Sequence, residues 1–136
     1  MYNISIESKL QYLFYNTASQ DGDYGLIFLD EPSKIAPVNV NTKTNVPSTN
    51  QQLTVMGWGT TEYGALPNIP LETTVDVLSN NECAHEYGVM SPITDNMLCA
   101  FGGSDCDACQ GDLGGPLIIK GRDAGDDILV GLASWG

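Results

Sequence analysis

The chain is organised around the stretch Asp107-Ala108-Cys109-Gln110-Gly111-Asp112-Leu113-Gly114-Gly115-Pro116-Leu117. Its glycines permit backbone dihedrals and close approaches that a Cβ atom would forbid. A short Gly/Asp sequence by itself indicates only a turn. Here Cys-Gln precedes the turn and an apolar run, Pro116 to Ile119, follows it. We therefore interpret the stretch as a tight loop that leads into a strand.

This stretch resembles the nucleophile loop of the chymotrypsin/trypsin-like serine proteases, whose pattern is D-x-C-Q-G-D-S-G-G-P-L. Ten of the eleven positions follow that pattern, and the exception is the nucleophile itself, where this chain has Leu113. A leucine side chain has neither an acidic proton nor a lone pair with which to attack a carbonyl. The resemblance therefore implies the fold of these proteases without their nucleophile.

The resemblance also implies roles for single residues. The N–H groups of Gly111 and Leu113 match the oxyanion-hole donors, and leucine keeps its N–H, so this anion-binding nest would survive the substitution. Asp112 matches the aspartate that pairs with the new N-terminus after zymogen cleavage. Asp107 matches the base of the specificity pocket, where a carboxylate selects arginine or lysine. The segment Ser134-Trp135-Gly136 matches the strand along which substrate main chain pairs.

A second segment of the resemblance, around Tyr15-Asn16, places Asp23 at the triad aspartate position, ahead of the strand-like run Leu26 to Leu29. Asp23 lies 90 positions before Leu113, against about 93 in the chymotrypsin template. The alternative is a plain turn aspartate in Asp21-Gly22-Asp23.

The triad histidine has no matching residue in this sequence. In the template it lies about 45 residues before the aspartate, and only 22 residues precede Asp23 here. The one histidine, His85, comes after Asp23 in a segment that resembles a short surface helix starting near Ser79. We interpret His85 as a solvated surface residue.

The order of the motifs predicts an all-β, trypsin-like double β-barrel, of which this chain contains a part. Such barrels commonly need about 200–250 residues, and the sequence has 136. We expect residues 1–36 to be a remnant of the N-terminal barrel and residues 37–52, rich in Pro, Asn, Thr and Ser, to be the interbarrel linker. Residues 53–136 then form the C-terminal barrel, truncated before its last strand and helix.

Within residues 53–136, apolar and alternating runs predict five strands. They are Leu53 to Thr60, which contains the family's Gly-Trp-Gly, then Leu71 to Val77, Leu98 to Ala100, Leu117 to Ile119 and Ile128 to Leu132. Many family members join the first of these to the strand after Gly-Gly-Pro by a disulfide. Leu53 and Ile119 stand at the matching positions, and an apolar pair can fill that space.

The resemblance pairs Cys83 with Cys99 in a disulfide. In the chain-entropy model, closing a loop of about 15 residues contributes roughly 3 kcal/mol. Cys109 lacks its usual partner in this sequence, and Cys106 has no counterpart in the family. A zinc site would need a second close cysteine pair beside Cys106-x-x-Cys109, and a thioredoxin-like site would need a βαβ context. Neither is present in the sequence, and the resemblance implies no cofactor and no metal.

The charge and the composition exclude several classes of partner. The net charge of −12 argues against nucleic acid and anionic membranes as partners. No run of 18 apolar residues occurs, so no membrane span is expected. The N-terminal residues lack a basic start and an apolar segment, so we expect no signal peptide within this sequence. The family resemblance nevertheless implies a secreted, extracellular protein.

Two functions remain open. The leading hypothesis is a non-catalytic homologue of trypsin-like serine endopeptidases that weakly binds a peptide or protein through an Arg or Lys side chain. In subtilisin, loss of the nucleophile lowers kcat by about six orders of magnitude, or roughly 8 kcal/mol. The alternative is an active trypsin-like serine endopeptidase, which cleaves after Arg or Lys. It requires a serine at position 113 and a histidine outside this sequence.

Overall fold

The computed structural model describes residues 5–60, 64–88, 92–103 and 111–136. They fall into two units, Met1–Pro37 and Val38–Gly136. Strands dominate both units, and the described residues contain a single helix of eight residues, so the predicted all-β class is confirmed. The elements are β1 (Ile6–Gln11), β2 (Gly25–Leu29), β3 (Asn39–Val40), β4 (Gln52–Gly57), β5 (Leu71–Leu78), α1 (Asn80–Tyr87), β6 (Cys99–Phe101), β7 (Pro116–Ile119) and β8 (Ile128–Leu132).

The first unit is an antiparallel pair of strands, β1 and β2, with Leu10 opposite Leu26. Beyond the ladder, the ring of Tyr12 stacks on that of Tyr24 with centroids 4.6 Å apart. Gly22 has a φ of +69°, and a Cβ atom there would lie 2.8 Å from the Tyr12 ring. Both the backbone conformation and the neighbouring ring therefore require glycine at this turn.

The second unit is built on a six-stranded sheet with the order β3-β8-β7-β4-β5-β6. Neighbouring strands are antiparallel, except that β3 runs parallel to β8. The short β3 lies inside the segment 37–52 that the sequence predicts as a linker, and the Asn39 side chain donates to the carbonyl oxygen of Gly125 at 2.8 Å. The five strands predicted for residues 53–136 are confirmed, with ends that shift by up to three residues.

The core of the second unit is formed by side chains of the neighbouring strands β4 and β5. Its buried side chains are Leu53, Val55, Val75 and Val77. Leu53, with 1% of its surface exposed, is the most buried large side chain, and Ile119 packs against this cluster. Leu53 and Ile119, the predicted apolar replacement for the family's disulfide, thus take part in the same apolar packing. On β5, buried and exposed residues alternate as expected for a half-buried strand.

The helix α1 begins with a capping box, in which the Ser79 hydroxyl accepts the N–H of Glu82 and the Glu82 carboxylate accepts the N–H of Ser79. The predicted disulfide between Cys83 and Cys99 is confirmed, with Cα atoms 6.3 Å apart. It ties α1 to β6. Cys106 and Cys109 lie outside the described residues.

The described residues contain neither a candidate membrane span nor a candidate metal site. Within them, no helix is long and apolar enough to span a bilayer, and no group of three or more His, Cys, Asp or Glu side chains is placed to hold a metal ion. The side chain of His85 is 89% exposed, with Nδ1 3.8 Å from the Glu86 carboxylate. His85 is therefore the surface residue that the sequence predicts.

Candidate functional site

The loop that precedes β7 is closed on itself and tied to the end of β8. The N–H of Gly115 donates to the carbonyl oxygen of Asp112 at 2.8 Å, which forms a tight turn around Leu113. The N–H of Gly114 donates to the carbonyl oxygen of Ala133 at 2.7 Å. The N–H of Ala133 donates to the carbonyl oxygen of Gly115 at 2.9 Å. These three bonds fix the backbone on both sides of Leu113.

The glycines of this loop are required for different physical reasons. Gly111 and Gly114 have φ values of +109° and +82°, a region that residues with a Cβ rarely adopt. A Cβ atom at Gly115 would lie 2.7 Å from the carbonyl oxygen of Asp112. At Gly111 it would lie 3.0 Å from the Cα of Gly59. The expectation that the glycines permit unusual dihedrals and close approaches is confirmed.

Asp112 connects the loop to the end of β4. Its Oδ1 accepts the N–H of Gly59 at 2.7 Å, and the residue is half-buried. A Cβ atom at Gly57 or Gly59 would overlap the Asp112 carboxylate. The Gly57-Trp58-Gly59 sequence therefore provides the space and one donor for this carboxylate. The pairing of Asp112 with a free N-terminus, implied by the family, stays a prediction.

Leu113 itself is largely exposed, with 65% of its surface accessible. Its N–H and that of Gly111 donate no hydrogen bond to another described residue. The assignment of these two groups as an oxyanion hole stays a prediction. Since the side chain is a hydrocarbon, Leu113 can offer apolar contact and a backbone donor, and no nucleophile.

The segment Ser134-Trp135-Gly136 follows directly on Ala133, whose backbone is bonded to the loop. The ring of Trp135 packs edge-on against that of Tyr87, with centroids 5.1 Å apart and an interplanar angle of 71°. The structure thus brings the loop around Leu113, the segment 134–136 and the end of α1 together. Sequence analysis gave no role to Tyr87, because no local pattern indicates that a helix end meets a distant segment.

Two further site residues of the sequence analysis are Asp23 and Asp107. Asp23 lies in the first unit as an exposed residue just before Tyr24 and β2. Its assignment as the triad aspartate stays a prediction. Asp107, the predicted base of the specificity pocket, lies outside the described residues.

Comparisons with known proteins agree with this fold. The family model described as Trypsin matches residues 3–136. Glucanase inhibitor protein 1 of Phytophthora infestans is 36% identical over 138 residues, which cover 98% of this chain and 52% of that protein. Trypsin eta of Drosophila erecta is 31% identical over 141 residues, which cover 98% of this chain and 51% of that protein.

Among solved structures, neuropsin, a serine protease expressed in the limbic system of mouse brain, matches with a TM-score of 0.81. It is 30% identical, and the match covers 98% of this chain and 59% of that one. The chain spans about half the length of the curated relatives it matches. The two strand units of this chain are thus parts of a trypsin-like fold, and the chain belongs to the trypsin family.

Proposed function

We propose that this chain is a non-catalytic member of the trypsin family that acts by binding another protein. The observation that carries the proposal is Leu113. It occupies the nucleophile position in a stretch whose other ten positions follow the family pattern, and its side chain is exposed. A hydrocarbon side chain cannot form the acyl intermediate on which the family's chemistry depends. A loop that has the family's backbone but not its nucleophile can still bind another protein.

A glucanase is the partner that the relatives suggest. Two relatives from Phytophthora infestans, 36% and 37% identical to this chain, are named glucanase inhibitor proteins. By their names, these two relatives inhibit a glucanase. We therefore propose that the chain binds a glucanase and lowers its activity.

An Arg or Lys side chain of the partner is the contact that the family pattern suggests. Asp107 carries the carboxylate expected at the base of the specificity pocket, and a carboxylate accepts hydrogen bonds from a guanidinium or ammonium group. In the family pattern, the segment Ser134-Trp135-Gly136 would pair with the partner's main chain. By itself, such a side chain should bind weakly, with a Kd in the millimolar range, or about −4 kcal/mol.

A secreted, extracellular location fits this proposal. The disulfide between Cys83 and Cys99 forms and persists in oxidising compartments such as the secretory pathway. The family pattern points to the same location.

The experiment is a binding and inhibition assay with purified glucanases. The chain is immobilised, each glucanase is passed over it, and the hydrolysis of soluble glucan is measured with and without an excess of the chain. The proposal expects at least one glucanase to bind saturably and to lose activity in proportion to its bound fraction. If no glucanase binds above a serum albumin control, a glucanase is not the partner.

A further inference from the structure

We infer that the partner docks on the exposed apolar residues Leu113, Trp58 and Leu71, here called the leucine surface, and that the docking face of the partner is basic. The inference rests on the proposed binding function and specifies where on the chain the binding takes place. It gives the Leu113 side chain a role in binding. In the proposed function, this leucine only accounts for the absence of catalysis.

The backbone brings the three residues of the leucine surface to one end of the sheet. Gly57, the last residue of β4, lies opposite Leu71, the first residue of β5. Gly59 donates to the Asp112 carboxylate at 2.7 Å. Adding the intervening bond lengths puts the Cα atoms of Trp58 and Leu113 no more than about 15 Å apart. A protein interface of about 800 Å² per partner is roughly 30 Å across and covers both.

All three of these apolar side chains are exposed. Leu113 is 65% accessible, Trp58 59% and Leu71 46%. Single exposed apolar residues are ordinary, whereas several at one place mark an interaction site. Tryptophan is among the residues that contribute most when they are buried in an interface.

The leucine surface is also held by the backbone before any partner arrives. Leu113 sits in a turn closed by the Gly115–Asp112 hydrogen bond, and the two residues that follow it, Gly114 and Gly115, are both hydrogen-bonded to Ala133. Trp58 lies between two glycines, one of which donates to the Asp112 carboxylate. Since less conformational freedom is lost on binding, a fixed surface gains more affinity from the same buried area.

The net charge of the chain indicates which kind of partner can bind to the leucine surface. Residues 38–136 contain three Lys or Arg and twelve Asp or Glu, a net charge of −9. A second copy of the chain would bring the same negative charge, so self-association through this surface is opposed. A partner with Lys or Arg around an apolar pocket would be attracted and oriented by the same field.

The test compares the wild-type chain with single variants against a panel of glucanases, some with net positive and some with net negative charge. Leu113→Ser and Trp58→Ala remove apolar surface, and Leu113→Met keeps it. Phe101→Ser is the matched control, because Phe101 is 52% exposed and pairs with Asp76 on the far part of β5. That position is roughly 20 Å from the Gly57 end of the sheet, by strand rise and spacing.

The wild-type chain should bind positively charged glucanases, and more tightly at about 0.05 M than at about 0.3 M salt. Leu113→Ser and Trp58→Ala should each weaken binding at least about tenfold, while Leu113→Met and Phe101→Ser stay within about threefold. Circular dichroism and melting temperature establish that each variant is folded.

Three outcomes overturn the inference in distinguishable ways. If the wild-type chain binds a glucanase and neither Leu113→Ser nor Trp58→Ala changes the affinity by more than about threefold, the partner docks elsewhere and the proposed function stands. If the wild-type chain binds no glucanase, the proposed function and this inference fail together. Tight binding that is indifferent to salt and to the charge of the glucanase would refute the basic docking face.

Discussion

Replacing Gly59 by alanine should loosen the loop that carries Leu113 and destabilise the second unit. A Cβ atom at Gly59 would overlap the Asp112 carboxylate, which accepts the Gly59 N–H at 2.7 Å. The carboxylate must therefore move away, and the hydrogen bond to a charged acceptor is lost. Such bonds contribute about 1.5–3 kcal/mol, so we expect the free energy of unfolding to fall by about that amount. This is a large share of the 5–15 kcal/mol typical of a domain.

The matched control is Gly131→Ala in β8. The Cβ atom of that variant would lie 3.5 Å from the Leu98 side chain, which is ordinary van der Waals contact. Its unfolding free energy should change by no more than about 0.5 kcal/mol. Both variants are unfolded in urea with the disulfide intact, followed by circular dichroism. If Gly59→Ala is no less stable than Gly131→Ala, the Asp112–Gly59 contact does not hold the loop.

Three further predictions concern stability. Leu53→Ala should lower the unfolding free energy by about 2–5 kcal/mol, because the buried side chain leaves a cavity in the core; a loss below about 1 kcal/mol in urea unfolding would contradict this. The double variant Cys83→Ser, Cys99→Ser should lose roughly 3 kcal/mol, and peptide mapping of the unreduced wild type should recover the Cys83–Cys99 link as the dominant species. Hydrogen bonds from the hydroxyl and the backbone N–H of Ser79 hold the pKa of Glu82 below its ordinary value. The stability that Glu82 contributes is therefore complete above the pKa it has in the unfolded chain and is lost as the pH falls through its lower folded-state pKa. Thermal melts between neutral and acidic pH should show a smaller acid-side loss for Glu82→Gln than for the wild type, and identical curves would refute this.

The sequence predicts the elements whose signal is local. The alternation in β5 and the apolar runs of β7 and β8 indicate strands because burial on one or both faces leaves its pattern in consecutive residues. The start of α1 follows from Ser79 and Glu82, which form a capping box at the expected spacing. The sequence likewise predicts that the glycines of the loop are needed for unusual backbone dihedrals and close approaches.

Elements that depend on distant partners leave no such pattern. The strand β1 contains the polar run Glu7-Ser8-Lys9, which does not indicate a strand. Its pairing with β2 makes it one. The two residues of β3 lie in a polar segment and pair with β8 nearly ninety positions later. The contact between Asp112 and Gly59 joins positions 53 residues apart. Tertiary pairing decides all three cases.

The most direct test of the central claim is the peptidase activity of the 136-residue chain and of its Leu113→Ser variant. Both are assayed on arginine and lysine ester substrates, with trypsin as the positive control and a serine-directed phosphonate as the probe of acylation. We expect both proteins to show background hydrolysis and no phosphonate adduct. The wild type has no nucleophile at position 113, and a serine placed there would still need a base to take its proton. Turnover by the wild-type chain that survives repurification and is blocked by the phosphonate would contradict the non-catalytic account.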